Sequence, residues 1–206
     1  MNPLISIWSR PTDTLRYMLK EKTARYGFFI FFLGTIGSGF FVSTSTGLFD
    51  GLPLLAIVLL AFSSNYIGAL LGWWLSSVLY TWIGKWLGGT GTFSDMARIV
   101  PAGTIPIIWL APMNFLLLAV YGSRLFEAPT DPLIPTNLPI GIYFLTNMIS
   151  IGVGIYGTVL SCKGIGLVHG FSAWRGLGVL AIVFAFGVVL GVILIFFLVF
   201  SLFSSF

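Results

Sequence analysis

The chain has 206 residues, of which 57% are hydrophobic and only 8% charged, with a mean hydropathy of +1.03. A soluble domain covers itself with about 25% charged residues, so this composition excludes a soluble domain and predicts an integral membrane protein. A single cysteine, Cys162, excludes an internal disulfide and a Cys-rich metal site, and a single histidine, His169, excludes a histidine cluster. No metal, no cofactor and no nucleic-acid partner is expected.

Residues 1–26 read as a cytoplasmic amphipathic leader. Pro11 stands where a helix starts; Leu15, Met18 and Leu19 then fall on one helical face, and Arg16, Lys20 and Lys22 largely on others. With Trp8 and Tyr17 as interfacial aromatics, this reads as a short helix in the headgroup plane or, equally, as an ordinary basic juxtamembrane leader. The first apolar run is longer than the roughly 7–15-residue core of a signal peptide, so it is expected to remain as a span.

The rest, 27–206, reads as one membrane domain. Crossing hydrocarbon takes roughly 20 apolar residues, and five runs qualify, at about 27–49, 53–83, 102–122, 139–162 and 177–203. The expected fold class is an all-α integral membrane protein, a compact bundle of five transmembrane helices. At about 1.5 Å per residue the second run reaches roughly 46 Å against a core of about 30 Å. It must tilt, project or break, and Ser63-Ser64-Asn65, whose side chains compete for backbone hydrogen bonds, mark the expected break. Pro106 and Pro112 predict a kink in the third run.

Charge gives the orientation. Arg10, Arg16, Lys20, Lys22 and Arg25 precede the first run, Lys85 and Arg98 separate the second from the third, and Lys163 and Arg175 the fourth from the fifth. The other side holds Arg124 with Asp50, Glu127 and Asp131. The positive-inside rule therefore predicts a cytoplasmic amino terminus and an outside carboxyl terminus. The proline-punctuated loop Glu127–Asn137 is expected to lie extended over the outer lipid surface.

Several stretches invite chemical readings. "KWLGGTGTFSDMAR" (Lys85–Arg98) sets a lysine beside glycines, but a phosphate loop places Gly-Lys-Ser/Thr after its first glycine and follows a strand. Here Lys85 precedes Gly88-Gly89, and no Lys-Ser/Thr pair follows Gly91. The residues predict a tight turn with Thr92 or Ser94 capping a short helix. The amides of Gly88 to Thr92 would be open as an anion nest, with Lys85 and Arg98 near lipid headgroups. His169 and Ser172 are three apart, yet no Gly-x-Ser-x-Gly elbow or orienting carboxylate accompanies them. His169 reads as an interfacial residue beside Trp174 and Arg175.

No ionisable group lies inside the five runs, which argues against an ion-coupled pump. The internal amides Asn65, Asn114 and Asn147 either bond to neighbouring helices or line a polar cavity for a headgroup or small solute. Gly68 with Gly72, Gly84 with Gly88 and Gly187 with Gly191, beside Gly152, Gly154 and Gly157, predict close helix packing inside the bundle. Gly187 and Gly191 are equally placed to meet a second copy.

Three separated segments resemble the Yip family of polytopic membrane proteins, named for interaction with Ypt/Rab GTPases. They are "NPLISIWSRPTDTLRYMLKEK" at the start, "WIGKWLGGTGTFSDMARIVPAGTIPII" from Trp82, and "GFSAWRG" from Gly170. Trp8 and Pro11 match Trp-x-x-Pro. Lys85, Gly88, Gly89, Gly91 and Phe93 match Lys-x-Leu-Gly-Gly and Gly-Thr-Phe, and Gly170, Phe171, Ser172 and Trp174 match Gly-Phe-Ser-Ala-Trp, in the shape seen in prokaryotic members. With Arg98 and Arg175, these are the candidates for partner or headgroup contact at the interface.

The resemblance implies a non-enzymatic five-span protein with its amino terminus inside, here in a prokaryotic cytoplasmic membrane. The expected role is membrane-organising or accessory, beside an export machine or in membrane shaping. Expected partners are membrane lipids and another membrane protein or a second copy. The competing class is a passive lipid or small-molecule transporter built on the second and third spans. Eukaryotic relatives act in vesicle trafficking and bind small GTPases. This chain carries neither their long cytosolic amino-terminal region nor their acidic-Gly-Pro and Tyr-Pro span motifs, and small-GTPase binding is not expected of it.

Overall fold

A computed structural model describes residues 1–39, 43–131 and 133–204, and they fold without strands. Two short helices, α1 (Pro3–Ser9) and α2 (Pro11–Glu21), lead into α3 (Arg25–Ser38). The long α4 (Leu54–Trp86) is followed by α5 (Phe93–Ile99), a 3-10 turn at Val100–Thr104, α6 (Ile105–Ile108) and α7 (Ala111–Tyr121). Two more long helices, α8 (Ile140–His169) and α9 (Ala173–Ser204), complete the chain.

Among the described residues, three helices are long and apolar enough to cross a membrane: α4, α8 and residues Ala173–Phe197 of α9. A fourth crossing is made if the bent pair Phe93–Ile108 and Ala111–Leu125 counts as one. The expected first span, 27–49, is helical as α3 only to Ser38, about 21 Å of helix against a core of about 30 Å. Residues 40–42 of that span lie outside the described residues, and 43–52 form turns.

The break expected at Ser63-Ser64-Asn65 does not occur, because α4 is continuous over 33 residues. Ser64 Oγ and Asn65 Nδ2 donate back to the Ala61 carbonyl, at 3.2 and 3.0 Å, so both satisfy themselves on the helix. A break would leave backbone groups unpaired in hydrocarbon, at several kcal/mol each. The kink in the third run is present, at 48°. Pro101, Pro106 and Pro112 each open a new helical piece, where a missing N–H costs nothing.

The two ends of the bundle differ. At one end, the turn after residue 42 meets the segment after α7: Ser45 N–H donates to Leu125 O at 2.7 Å and Gly47 N–H to Phe126 O at 3.0 Å. The Glu127–Asn137 loop is not simply laid over lipid, since Asn137 Nδ2 ties it back to Arg124 O and Glu127 O. At the other end gather the segments holding nine of the ten basic residues. There α2 packs on α5 and α8, and Arg98 donates to Leu19 O at 3.4 Å.

At this basic end α4 overhangs its neighbour. Gly27, near the start of α3, lies against the Trp73 ring and Pro101, while α4 runs on to Trp86, about 20 Å further. The overhang is braced by a core of Ile83, Met96, Ile165 and Val179, from α4, α5, α8 and α9. Trp73 fastens α4 to α5 by donating its Nε1–H to Ala97 O at 2.9 Å.

The leader's apolar face meets this assembly and not headgroups. Leu15 and Met18 are fully buried with Ile7, Ile99, Ile105 and Leu160. Tyr156 of α8 fixes α1 by donating to Ile7 O at 2.5 Å and stacking on Trp8, 4.9 Å between ring centroids.

Candidate functional site

The three segments singled out by the sequence meet at the basic end, around two helix termini. α4 ends in a Schellman motif. Gly88 takes φ +84°, its N–H reaches Lys85 O at 3.0 Å, and Gly89 N–H reaches Gly84 O at 2.9 Å. α8 ends similarly: Gly170 has φ +73°, and Phe171 N–H reaches Gly166 O at 3.0 Å. Both turns need a left-handed residue, which glycine adopts without steric cost.

His169 locks these termini together. It is 2% exposed, which corrects the expectation of an interfacial residue beside Trp174 and Arg175. Nδ1 accepts from Gly91 N–H at 3.1 Å, and Nε2 lies 3.0 Å from the Tyr80 carbonyl. A carbonyl can only accept, so Nε2 carries the proton and the ring is the neutral tautomer. The His169 carbonyl accepts from Thr90 N–H at 3.3 Å, and Phe171 stacks on the imidazole at 5.3 Å. A Cβ at Gly84 or Gly89 would run into the ring, and one at Gly91 would lie 2.6 Å from Val168. Glycine at 84 thus opens the one approach by which an imidazole reaches Tyr80 O on the flank of a continuous helix.

This geometry fills the supposed anion nest from Gly88 to Gly91. The N–H groups of Gly88, Gly89, Thr90 and Gly91 are all spent on protein acceptors, so none faces a phosphate. Thr92 is the cap of α5: its Oγ1 accepts from Asp95 N–H at 3.2 Å and donates to the Asp95 carboxylate at 2.7 Å. Ser172 does not pair with His169, whose two ring nitrogens are both occupied. Ser172 sits exposed before α9, and its carbonyl accepts from Arg175 and Gly176 N–H.

Around the lock lies a surface of different character. Lys85, Trp82, Trp86, Phe93, Trp174 and Arg175 are exposed, Trp174 at 80%. Trp82 and Trp86 contact each other at 4.3 Å between centroids. Arg98 is only half-exposed and is drawn inward, with its guanidinium 3.7 Å from Asp95. Pro11 opens α2, and Trp8 covers Tyr156.

The three asparagines separate. Asn114 is buried and donates to Gly37 O at 2.8 Å, with Oδ1 unpartnered among the described residues. Asn147 folds back on Tyr143 O of its own helix. Asn65 lines a cleft of about 190 Å³ with Thr35, Ser38 and Thr104. A neighbouring cleft of about 400 Å³, sharing Phe31, Ala69, Thr104 and Ile107 with it, is lined by Ser76, Tyr80, Thr158 and Ser161.

The glycines also sort differently from their spacing. A Cβ at Gly68, Gly72, Gly152, Gly154, Gly187 or Gly191 would meet nothing within 4 Å, so these do not pack inside the bundle. Close approaches between elements occur instead at Gly34 against Thr104, Gly103 against Gly157 and Ser161, Gly164 against Ile99, and Gly176 against the backbone of Cys162, beside those of Gly84 and Gly89 on His169. Tyr80, Gly84, Tyr156 and Gly176 were missed as site residues. The only signal in the sequence was a lone histidine in a glycine-rich membrane protein with few other polar partners.

No curated protein and no solved structure gives a significant match to this chain. The family model described as the Yip1 domain matches residues 5–203. That match takes in the leader, the locked elbow and all the long apolar helices, so this multi-pass membrane protein belongs to the Yip1 domain family.

Proposed function

We propose that this chain is a non-enzymatic membrane-organising or accessory protein whose basic end, in the cytoplasm, binds another membrane protein. The carboxyl terminus lies outside, and the membrane is a prokaryotic cytoplasmic membrane. A partner serving export or membrane shaping fits this reading. The observation that carries it is the His169 lock. His169 and the amides of Gly88 to Gly91 are consumed in holding two helix ends together, while Lys85, Trp82, Trp86 and Trp174 stand exposed on the rigid platform that results. Exposed aromatics on a fixed scaffold are the residues that dominate binding energy at interfaces.

Co-purification from a gentle detergent, comparing the native chain with Trp86→Ala and Lys85→Glu, tests the proposal. A recovered membrane partner lost in both variants is expected. A chain that is strictly monomeric and partner-free would sink it.

A second reading, passive movement of lipid or small solutes, draws on the adjoining clefts of about 400 and 190 Å³ lined by hydroxyls and Asn65. Reconstitution with fluorescent lipid and dithionite decides it. Loss of outer-leaflet signal no greater than in empty vesicles would remove the idea.

A further inference from the structure

A third cleft, of about 360 Å³, lies between α8 and α9 at the basic end. Its walls are Ile155, Val159 and Cys162 on α8 with Ala173, Trp174 and Leu177 on α9, and Lys163 lies at its basic end. Lys163 is half-exposed and makes no salt bridge among the described residues. From Lys163 down to Ile155 the cleft follows α8 for about 12 Å, from the basic end toward the apolar body of both helices. Ile155 and Trp174 are exposed along it, at 62% and 80%. The α8–α9 crossing that shapes the floor depends on Gly176, which sits directly on the Cys162 backbone.

We propose that this cleft is a site for one anionic phospholipid, its phosphate at Lys163 and the upper part of an acyl chain between Ile155, Val159 and Leu177. The charge, the apolar walls and their order along the bundle all match that occupant: the cation lies at the basic end, with an exposed tryptophan beside it at headgroup level. A zwitterionic lipid would offer Lys163 no net charge. A second copy of this chain would have to bring an anionic group into an apolar groove, and the chain has only six acidic residues. The cleft shares Trp174 with the exposed platform but takes in none of Lys85, Trp82 and Trp86, and the proposal does not rest on the partner-binding reading.

The test is native mass spectrometry of the full chain released from vesicles containing equal amounts of phosphatidylglycerol and phosphatidylcholine. One tightly retained phosphatidylglycerol is expected. Lys163→Gln should lower its enrichment over phosphatidylcholine about fivefold, as for one lysine near a charged surface, and Lys163→Arg should keep it. Leu177→Trp, which fills the groove, should reduce retention of both lipids. In vesicles, Trp174 fluorescence should be quenched more by brominated phosphatidylglycerol than by brominated phosphatidylcholine, and equally by both in Lys163→Gln. Equal retention of the two lipids by the native chain, or an enrichment unchanged in Lys163→Gln, overturns the proposal. So does a lipid-free dimer in which Trp174 is shielded from both brominated lipids.

Discussion

Gly84→Ala is the substitution that probes the histidine lock most directly. The new Cβ lands on the imidazole at Nε2, so the ring must leave its place. Forcing atoms into a packed site costs about 1–3 kcal/mol. The displaced ring loses its bond to Tyr80 O, about 1 kcal/mol, and leaves the buried Gly91 N–H without its acceptor, about 1–3 kcal/mol. Alanine's better helix propensity returns about 1 kcal/mol, so the net loss should be about 2–6 kcal/mol.

Denaturant unfolding in mixed micelles, followed by tryptophan fluorescence, reads it. The decisive measurement is the cycle with His169→Ala: once the ring is gone, Gly84→Ala should cost less than about 0.5 kcal/mol, giving a coupling of at least about 1.5 kcal/mol. Two other glycines serve as internal controls. Gly88→Ala should cost about 1–2 kcal/mol in either background, because its price is the left-handed backbone and nothing crowds its Cβ. Gly72→Ala, facing open space inside α4, should stabilise by up to about 1 kcal/mol through helix propensity alone. If Gly84→Ala is equally costly with and without His169, the lock is not what glycine 84 serves.

Three further outcomes follow from the packing. Leu15→Ala should destabilise by about 2–5 kcal/mol, since the side chain is fully buried in the core shared by α1, α2, the 3-10 turn and α8; a leader resting on headgroups would lose almost nothing, and thermal unfolding separates the two. Trp73→Phe should cost about 1–2 kcal/mol through the lost bond to Ala97 O while keeping its aromatic contacts with Phe28 and Phe31. In a Cys162→Ala background, Thr90→Cys and Ser172→Cys should react with an impermeant thiol reagent from the same side of sealed vesicles, and Thr130→Cys from the other; labelling of Thr90→Cys and Thr130→Cys from one side would refute the proposed orientation.

The fold class was legible because composition and hydropathy act additively along the chain. With so few charges no soluble surface is available, and long uncharged runs can satisfy their backbone only as helices in lipid. The kink was legible too, because proline's missing N–H is a local property. The ends of elements were less so. α8 runs on to His169, well past the apolar run that ended at 162, because its last two turns are held by α4, α5 and α9.

The sequence by itself determined a membrane-embedded helical chain, a basic end, and a turn capped by Thr92 or Ser94, each from the chemistry of neighbouring residues; the structure selects Thr92. Only the tertiary structure decided what the glycines and the histidine do. Gly68 and Gly72 have ideal packing spacing yet face open space, while Gly84 and Gly89 receive a ring that is 85 and 80 residues away in the chain. Spacing reports which side of a helix a residue occupies, and it carries no record of what comes to meet that side. The neutral His169, joined to Tyr80 and Gly91 across three segments, exists as a site only when the carboxyl-terminal ends of α4 and α8 are brought side by side.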